Sequence, residues 1–157
     1  VNVATHLASI AIERARSEEK LRMSEAKFRA LTEKSSEGIS LVGSDGKFIY
    51  TSPAAERIHG YDCQEVVGTV AQDRIHPDDW LMLKQHLDSI GDVPGASACA
   101  QYRVKHKNGQ WIWIEATLTS MLHEPGINAV VVNFRDISTR KLAEADLQAS
   151  EELYRSM

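Results

Sequence analysis

The chain has 157 residues, a length that fits one packed domain with extensions. Its residues are 43% hydrophobic and 25% charged, a composition too apolar for a disordered chain. Its net charge of −4 argues against nucleic acid and anionic membranes as partners, and no apolar run reaches the roughly eighteen residues of a membrane span. Cys63 and Cys99 have no metal-ligand spacing and form no disulfide framework. We expect no metal site and a cytoplasmic domain, although the full-length protein could be attached to a membrane.

Residues 2–31 predict one long helix, or two helices in line, because they lack Pro and Gly and are rich in Ala, Glu, Arg, Lys and Leu. A coiled-coil seam runs along this segment at intervals of three and four residues. Its three polar members favour a marginal, adjustable coiled coil, and the alternative is an amphipathic helix that packs on its own domain. The seam comprises Leu7, Ile10, Arg14, Ser17, Leu21, Ser24, Phe28 and Leu31.

Turn and capping signals divide residues 38–90 into short elements. Asp45-Gly46 is a type I′ hairpin signal, and Ser52-Pro53 is a helix start, with a capping hydroxyl and a proline at the first helical position. His76-Pro77 repeats this pattern. The predicted elements are strands 38–44 and 47–51, a helix over 54–59 ended by Gly60, a short helical segment at 65–68, and a helix from 77 to about 90.

Three further strands are predicted at 98–107, 110–122 and 129–134, with Asn108-Gly109 as the second hairpin turn. Their even positions are mainly apolar, which predicts one buried face. The last strand leads into a helix starting near Thr139 without a glycine or proline between them, which indicates mechanical coupling. The order of elements predicts an α+β domain: a five-stranded antiparallel sheet with helices on one face and long N- and C-terminal helices.

A series of short motifs, in order from residue 24 to residue 143, resembles the PAS domain in its bacterial form, the sensory box with a PAC-type C-terminal motif. One departure is Ser52, where the family often has Asn, and both residues cap helices. The motifs are Glu25 to Leu31, Asp45 to Tyr50, Ser52 to Ala55, Gly60-Tyr61, Glu65 to Gly68, His76 to Asp79, Lys107 to Gly109 with Trp113 to Glu115, and Arg135 to Lys141.

The flanks of these motifs resemble other sensor modules. Residues 7–15 resemble the last helix of a GAF domain, and Ser24-Glu25 with Phe28-Arg29 recurs as Ser150-Glu151 with Tyr154-Arg155. The alternative is chance similarity between two charged helices. We predict three parts: a signalling helix over 1–23, the PAS domain over 24–138, and a C-terminal linker helix over 139–157.

The resemblance implies a sensory or regulatory module that relays a ligand or conformational signal to a downstream output domain of a multidomain bacterial protein. A sensor histidine kinase is the predicted parent protein, and a diguanylate cyclase is an alternative. The other alternative is a ligand-free dimerisation spacer between tandem sensor domains. The sequence contains no phosphate-binding loop, nucleophile elbow or zinc-protease motif, so we assign no catalytic residues to this chain.

The fold of the family places a pocket between the sheet and its helices. The same apolar side chains could instead fill that space completely. The family's covalent flavin adduct is not expected, since Ala71 stands at the cysteine position, and haem is not expected from His86 alone. We expect no bound cofactor, and whether any other ligand binds is unknown. The residues predicted to line the pocket are Ile58, Leu83, Leu87, Tyr102, Val104, Ile114, Ala116, Val132 and Phe134.

Two surfaces are predicted to carry the signal. Trp111 and Trp113 occupy the odd, outward face of the sheet, where two indoles would form an apolar patch. Together with Leu21 and Phe28 they are the predicted surface for the first helix or for a second copy in a homodimer. The signal junction is predicted at residues Asp136, Ile137 and Ser138, with Asp136 held by a salt bridge or backbone hydrogen bond and Ile137 packed under the sheet.

Overall fold

A computed structural model describes residues 2–157, in two parts: one ends at Ser35, and the other is a compact unit from Ser36 to Met157. The α+β fold is confirmed. The elements in chain order are α1 (Val3–Lys34), β1 (Gly38–Gly43), β2 (Phe48–Thr51), α2 (Pro53–His59), α3 (Cys63–Val66), a 3₁₀ helix (Ala71–Arg74), α4 (Pro77–Gly91), β3 (Ser97–Lys105), β4 (Trp111–Met121), β5 (Ala129–Asp136) and α5 (Ser138–Ser156).

The first part of the chain is one unbroken helix, as the lack of Gly and Pro predicts. The side chain of Asn2 caps α1 by accepting a hydrogen bond from the Ala4 amide at 3.0 Å. The predicted boundary between residues 23 and 24 lies inside this helix, and the three-part division of the chain stays a prediction. None of the described helices is both long and apolar enough to cross a bilayer.

The five strands form one antiparallel sheet in the order β2-β1-β5-β4-β3. The register places Tyr102 opposite Ile114 and Leu118 opposite Val132, and all four side chains are buried. Because side chains alternate between the faces of a strand, this register gathers the even residues of β3, β4 and β5 on one inner face. The predicted buried face is confirmed.

The turn at Asp45-Gly46 differs from the predicted type I′ geometry, and the second hairpin turn, at Asn108-Gly109, has the same form. The Gly46 amide donates to the Gly43 carbonyl, and the Gly109 amide to the His106 carbonyl, each at 2.9 Å. In each turn only the glycine has a positive φ, at 78° and 89°, whereas a type I′ turn needs positive φ at both central residues. These are type I turns that end in a left-handed glycine, because the residues between the bonded groups keep ordinary negative φ.

The helices α2 and α4 cover the inner face of the sheet through Ala55, Leu83 and Ile90, which belong to the same buried cluster as the strand residues. Ser52 starts α2 as predicted: its hydroxyl accepts from the Ala55 amide at 3.3 Å. The same hydroxyl accepts from the Ile39 amide of β1 at 2.9 Å. One buried cap therefore fixes both the start of the helix and its position on the sheet.

Candidate ligand cavity and helix junction

A cavity of about 680 Å³ lies between the inner face of the sheet and the segment from α2 to α4. The side chains therefore do not fill this space, and its volume is within the range of small-molecule sites. Seven of the nine predicted residues line it: Leu83, Leu87, Tyr102, Val104, Ile114, Val132 and Phe134.

The structure places Ile58 and Ala116 outside the cavity wall. Ala116 is fully buried on β4 directly opposite Phe134, whose ring extends much farther from the sheet than the alanine methyl. Ile58 is half-buried and packs against the core. Strand alternation and helical spacing identify the inward face, but they do not tell which inward side chains reach the cavity.

Polar residues at one end of the cavity were not predicted. His59, at the end of α2, accepts a hydrogen bond on Nδ1 from the Tyr61 amide at 3.1 Å. Burial lowers the pKa of His59 to about 4, and the positive charges of Arg74 and His106 act in the same direction. The imidazole is therefore uncharged at neutral pH, and its Nε2 carries the proton.

Arg74 of the 3₁₀ helix also belongs to this end of the cavity. Its guanidinium lies 4.1 Å from the centre of the Tyr61 ring, a cation–π contact. Both residues lie in the irregular segment between α2 and α4, which has no periodic pattern in the sequence. In the sequence, the one sign of a polar group at this end of the cavity is His59, a histidine directly before the glycine that ends a helix.

The three predicted junction residues form a connected set at the end of β5. The Ile137 amide donates to the Trp113 carbonyl at 2.9 Å, and the Trp113 amide donates to the Ser138 hydroxyl at 3.0 Å. Asp136 accepts from the Ser138 amide at 2.8 Å, and Ile137 is buried. The amide and the carbonyl of Trp113 on β4 thus hold the start of α5. The role of the three junction residues in signalling stays a prediction.

A charged cluster joins the outer face of the sheet to α5. Glu115 of β4 accepts hydrogen bonds from Arg135 of β5 at 3.1 Å, from Gln101 of β3 at 3.0 Å and from Arg140 of α5 at 3.2 Å. The bonds from Arg135, Gln101 and Arg140 lower the pKa of Glu115 to about 2. The carboxylate stays ionised at any physiological pH and links β4 to three other elements.

The two outward tryptophans have neighbours within the compact unit. The charged ends of Arg103 and Lys141 lie 5.1 Å and 4.9 Å from the centre of the Trp113 ring, and Trp111 packs against His76 with ring centres 4.7 Å apart. Trp111 is nevertheless 40% exposed. The prediction that this face, with Leu21 and Phe28, receives a helix or a second copy stays open.

Two features bear on metals and cofactors. Carboxylate and thiol atoms of Glu56, Asp62 and Cys63 lie within 4.8 Å of one another, but Glu56 already accepts from the Cys63 amide and Asp62 caps α3. We assign no metal there. The Nδ1 atom of His86 lies 2.8 Å from the Met82 carbonyl oxygen, a local bond on its own helix.

Comparison with protein families matches residues 48–130, more than half of the chain, to the family described as PAS fold. The sensor histidine kinase TmoS of Ectopseudomonas mendocina is 28% identical over 85% of the chain. The probable diguanylate cyclase DgcE of Escherichia coli is 26% identical over 77% of the chain. The chain spans only 14% and 11% of these two relatives.

The fold also matches solved structures. A sensory box histidine kinase/response regulator from Burkholderia thailandensis superposes with a TM-score of 0.63 and 24% identity, over 83% of this chain and 99% of the solved one. At that identity the likeness establishes the arrangement of the sheet and helices and nothing beyond it.

Proposed function

The chain belongs to the PAS family, and from that premise we propose that it is a cytoplasmic sensory module that reads the state of its cavity and relays it to a downstream output domain. The PAS domain itself is not catalytic, so the chemistry belongs to the output domain. A sensor histidine kinase is the output that we propose, on the likeness to one over 85% of the chain. A diguanylate cyclase is the second candidate output.

One observation carries this proposal: a single strand serves both the cavity and the helix junction. Val130, Val132 and Phe134 of β5 line the cavity, and α5 begins four residues after Phe134. A ligand that displaces these side chains would move the strand, and no flexible residue lies between the strand and the helix to absorb the movement. The hydrogen bonds at Trp113 then carry the movement into α5.

The test replaces the junction carboxylate in the intact parent protein. Asp136→Ala removes the side chain that accepts from the Ser138 amide and leaves the buried core untouched. We expect an intact fold, with only a small fall in melting temperature because the lost hydrogen bond is exposed to solvent, but an output activity that no longer follows the signal. Asp146→Ala is the matched control, since Asp146 is an exposed aspartate farther along α5. Normal regulation in Asp136→Ala would count against the relay.

We also propose that the chain forms a homodimer through its N-terminal helix, a role that a ligand-free spacer would share. The observation that favours it is the seam of α1, where Leu7, Leu21 and Leu31 are each 60% or more exposed. Burying such a seam against a second copy is what a coiled coil does.

The test of the dimer uses two exposed residues of the same helix. Leu21→Glu should shift the sedimentation equilibrium of the chain toward monomer. Met23→Glu should not, because Met23 is equally exposed, at 63%, but lies off the seam. A dimer that tolerates both changes equally is not built on this seam.

A further inference from the structure

A tyrosine hydroxyl faces the cavity without a hydrogen-bond partner among residues 2–157. Tyr102 of β3 lines the cavity and is only 5% exposed, yet no hydrogen bond to its hydroxyl is found among residues 2–157. Every side-chain nitrogen or oxygen that is sealed from solvent in these residues has a partner. The Tyr102 hydroxyl is therefore not sealed, and it opens onto the cavity.

This hydroxyl is a permanent donor. Burial raises the pKa of the Tyr102 phenol well above its ordinary value, so the group keeps its proton at every physiological pH. Water in the cavity can bond to this hydroxyl, and a ligand that displaces the water must supply an acceptor in its place or leave the hydroxyl without a partner, which is unfavourable.

His59 offers a second donor of the same kind. Its Nδ1 is already occupied by the Tyr61 amide, which can only donate, so the neutral ring has its N–H at Nε2. No hydrogen bond from Nε2 to any of residues 2–157 is found. The ring also stacks 6.5 Å from Phe134, centre to centre, in the cavity wall.

The charged residues of the wall are exposed to solvent, except for Arg74. Asp88 accepts from Lys84 at 2.8 Å, and Asp45, Asp92 and Lys105 are exposed. Arg74 is half-buried in cation–π contact with Tyr61 and has no carboxylate partner among residues 2–157. A cationic ligand would therefore lose its hydration without meeting a buried carboxylate, whereas an anionic group could pair with Arg74.

We propose that the cavity binds a mainly apolar organic molecule without positive charge, with a carbonyl oxygen or ring nitrogen that accepts a hydrogen bond from the Tyr102 hydroxyl. This ligand class rests on the proposed function, since it assumes that the cavity is the sensory site. The aromatic lining, which includes Phe48, Trp80 and Phe134, favours flat rings in the rest of the molecule.

The test compares two probes that differ only at one group, benzophenone with its carbonyl and diphenylmethane with a methylene in its place. Equilibrium dialysis against the whole chain should give benzophenone a dissociation constant about fivefold to tenfold lower. Tyr102→Phe, which keeps the ring, should reduce that ratio to about one by weakening benzophenone alone. Tyr154→Phe is the matched control, because Tyr154 is 78% exposed on α5, and it should preserve the ratio.

Two outcomes would overturn the ligand class and leave the cavity as a binding site: an equal affinity for both probes in the wild-type chain, or a ratio that survives in Tyr102→Phe. Binding of a benzophenone that carries an ammonium group as tightly as benzophenone itself would overturn the requirement for a ligand without positive charge. If neither uncharged probe binds the wild-type chain, the proposed sensory use of the cavity fails together with the ligand class.

Discussion

Ser138→Ala tests the attachment of α5 to the sheet. The change removes the acceptor of the Trp113 amide, which lies 3.0 Å from the Ser138 hydroxyl oxygen. The net value of such a bond is about 1 kcal/mol, and an amide left half-buried without a partner adds to the loss. We therefore expect the free energy of unfolding to fall by about 1–2 kcal/mol, a decrease in melting temperature of roughly 3–6 °C.

Hydrogen exchange gives the sharper readout. Loss of the acceptor should make the Trp113 amide exchange roughly tenfold faster, with smaller changes in the central strands. Ser150→Ala is the control, since Ser150 is exposed on the same helix and its replacement should cost nothing. Unchanged exchange at Trp113 in Ser138→Ala, or an equal effect of both substitutions on stability, would refute the reasoning.

Two more predictions concern the sheet. The folded pKa of Glu115 is about 2, below its ordinary 4.5. Its ion cluster therefore stabilises the protein fully above about pH 4.5, and this stabilisation is lost as the pH falls toward 2. Glu115→Gln should unfold at a lower urea concentration than wild type at pH 7, and the difference should shrink below pH 4.5; a difference that does not change with pH would contradict this. Gly38→Ala places a methyl 2.5 Å from the Phe134 ring and should cost about 1–3 kcal/mol in thermal unfolding, while Gly91→Ala, with nothing within 4 Å, should cost nothing.

The strands of the sheet were predictable because each one is encoded by a pattern of neighbouring residues in the sequence. Burial on one face imposes a period of two, and the even residues of β4 from Ile114 to Leu118 show it without interruption. The helix starts at Ser52 and His76 were predictable for a similar reason, since a cap needs only a side chain and the amides two or three residues ahead.

The hairpin turns and the polar end of the cavity were less accessible from the sequence. Asp45-Gly46 is compatible with type I′ geometry, but the length of the loop favours a type I turn that ends in a left-handed glycine. His59 and Arg74 come together only because the irregular segment between α2 and α4 folds over the sheet. Their proximity is a result of tertiary packing, which no period in the chain records.

The rigid start of α5 has a mechanical consequence. The helix has 19 residues, so at 1.5 Å per residue it is about 28 Å long. A tilt of about 5° at Ser138 would move its far end by roughly 2.5 Å for a helix of that length. The helix thus acts as a lever that turns about the junction. A displacement of a few tenths of an ångström at the end of β5 becomes a movement of roughly 2.5 Å at the end of α5, which is large enough to change side-chain packing there.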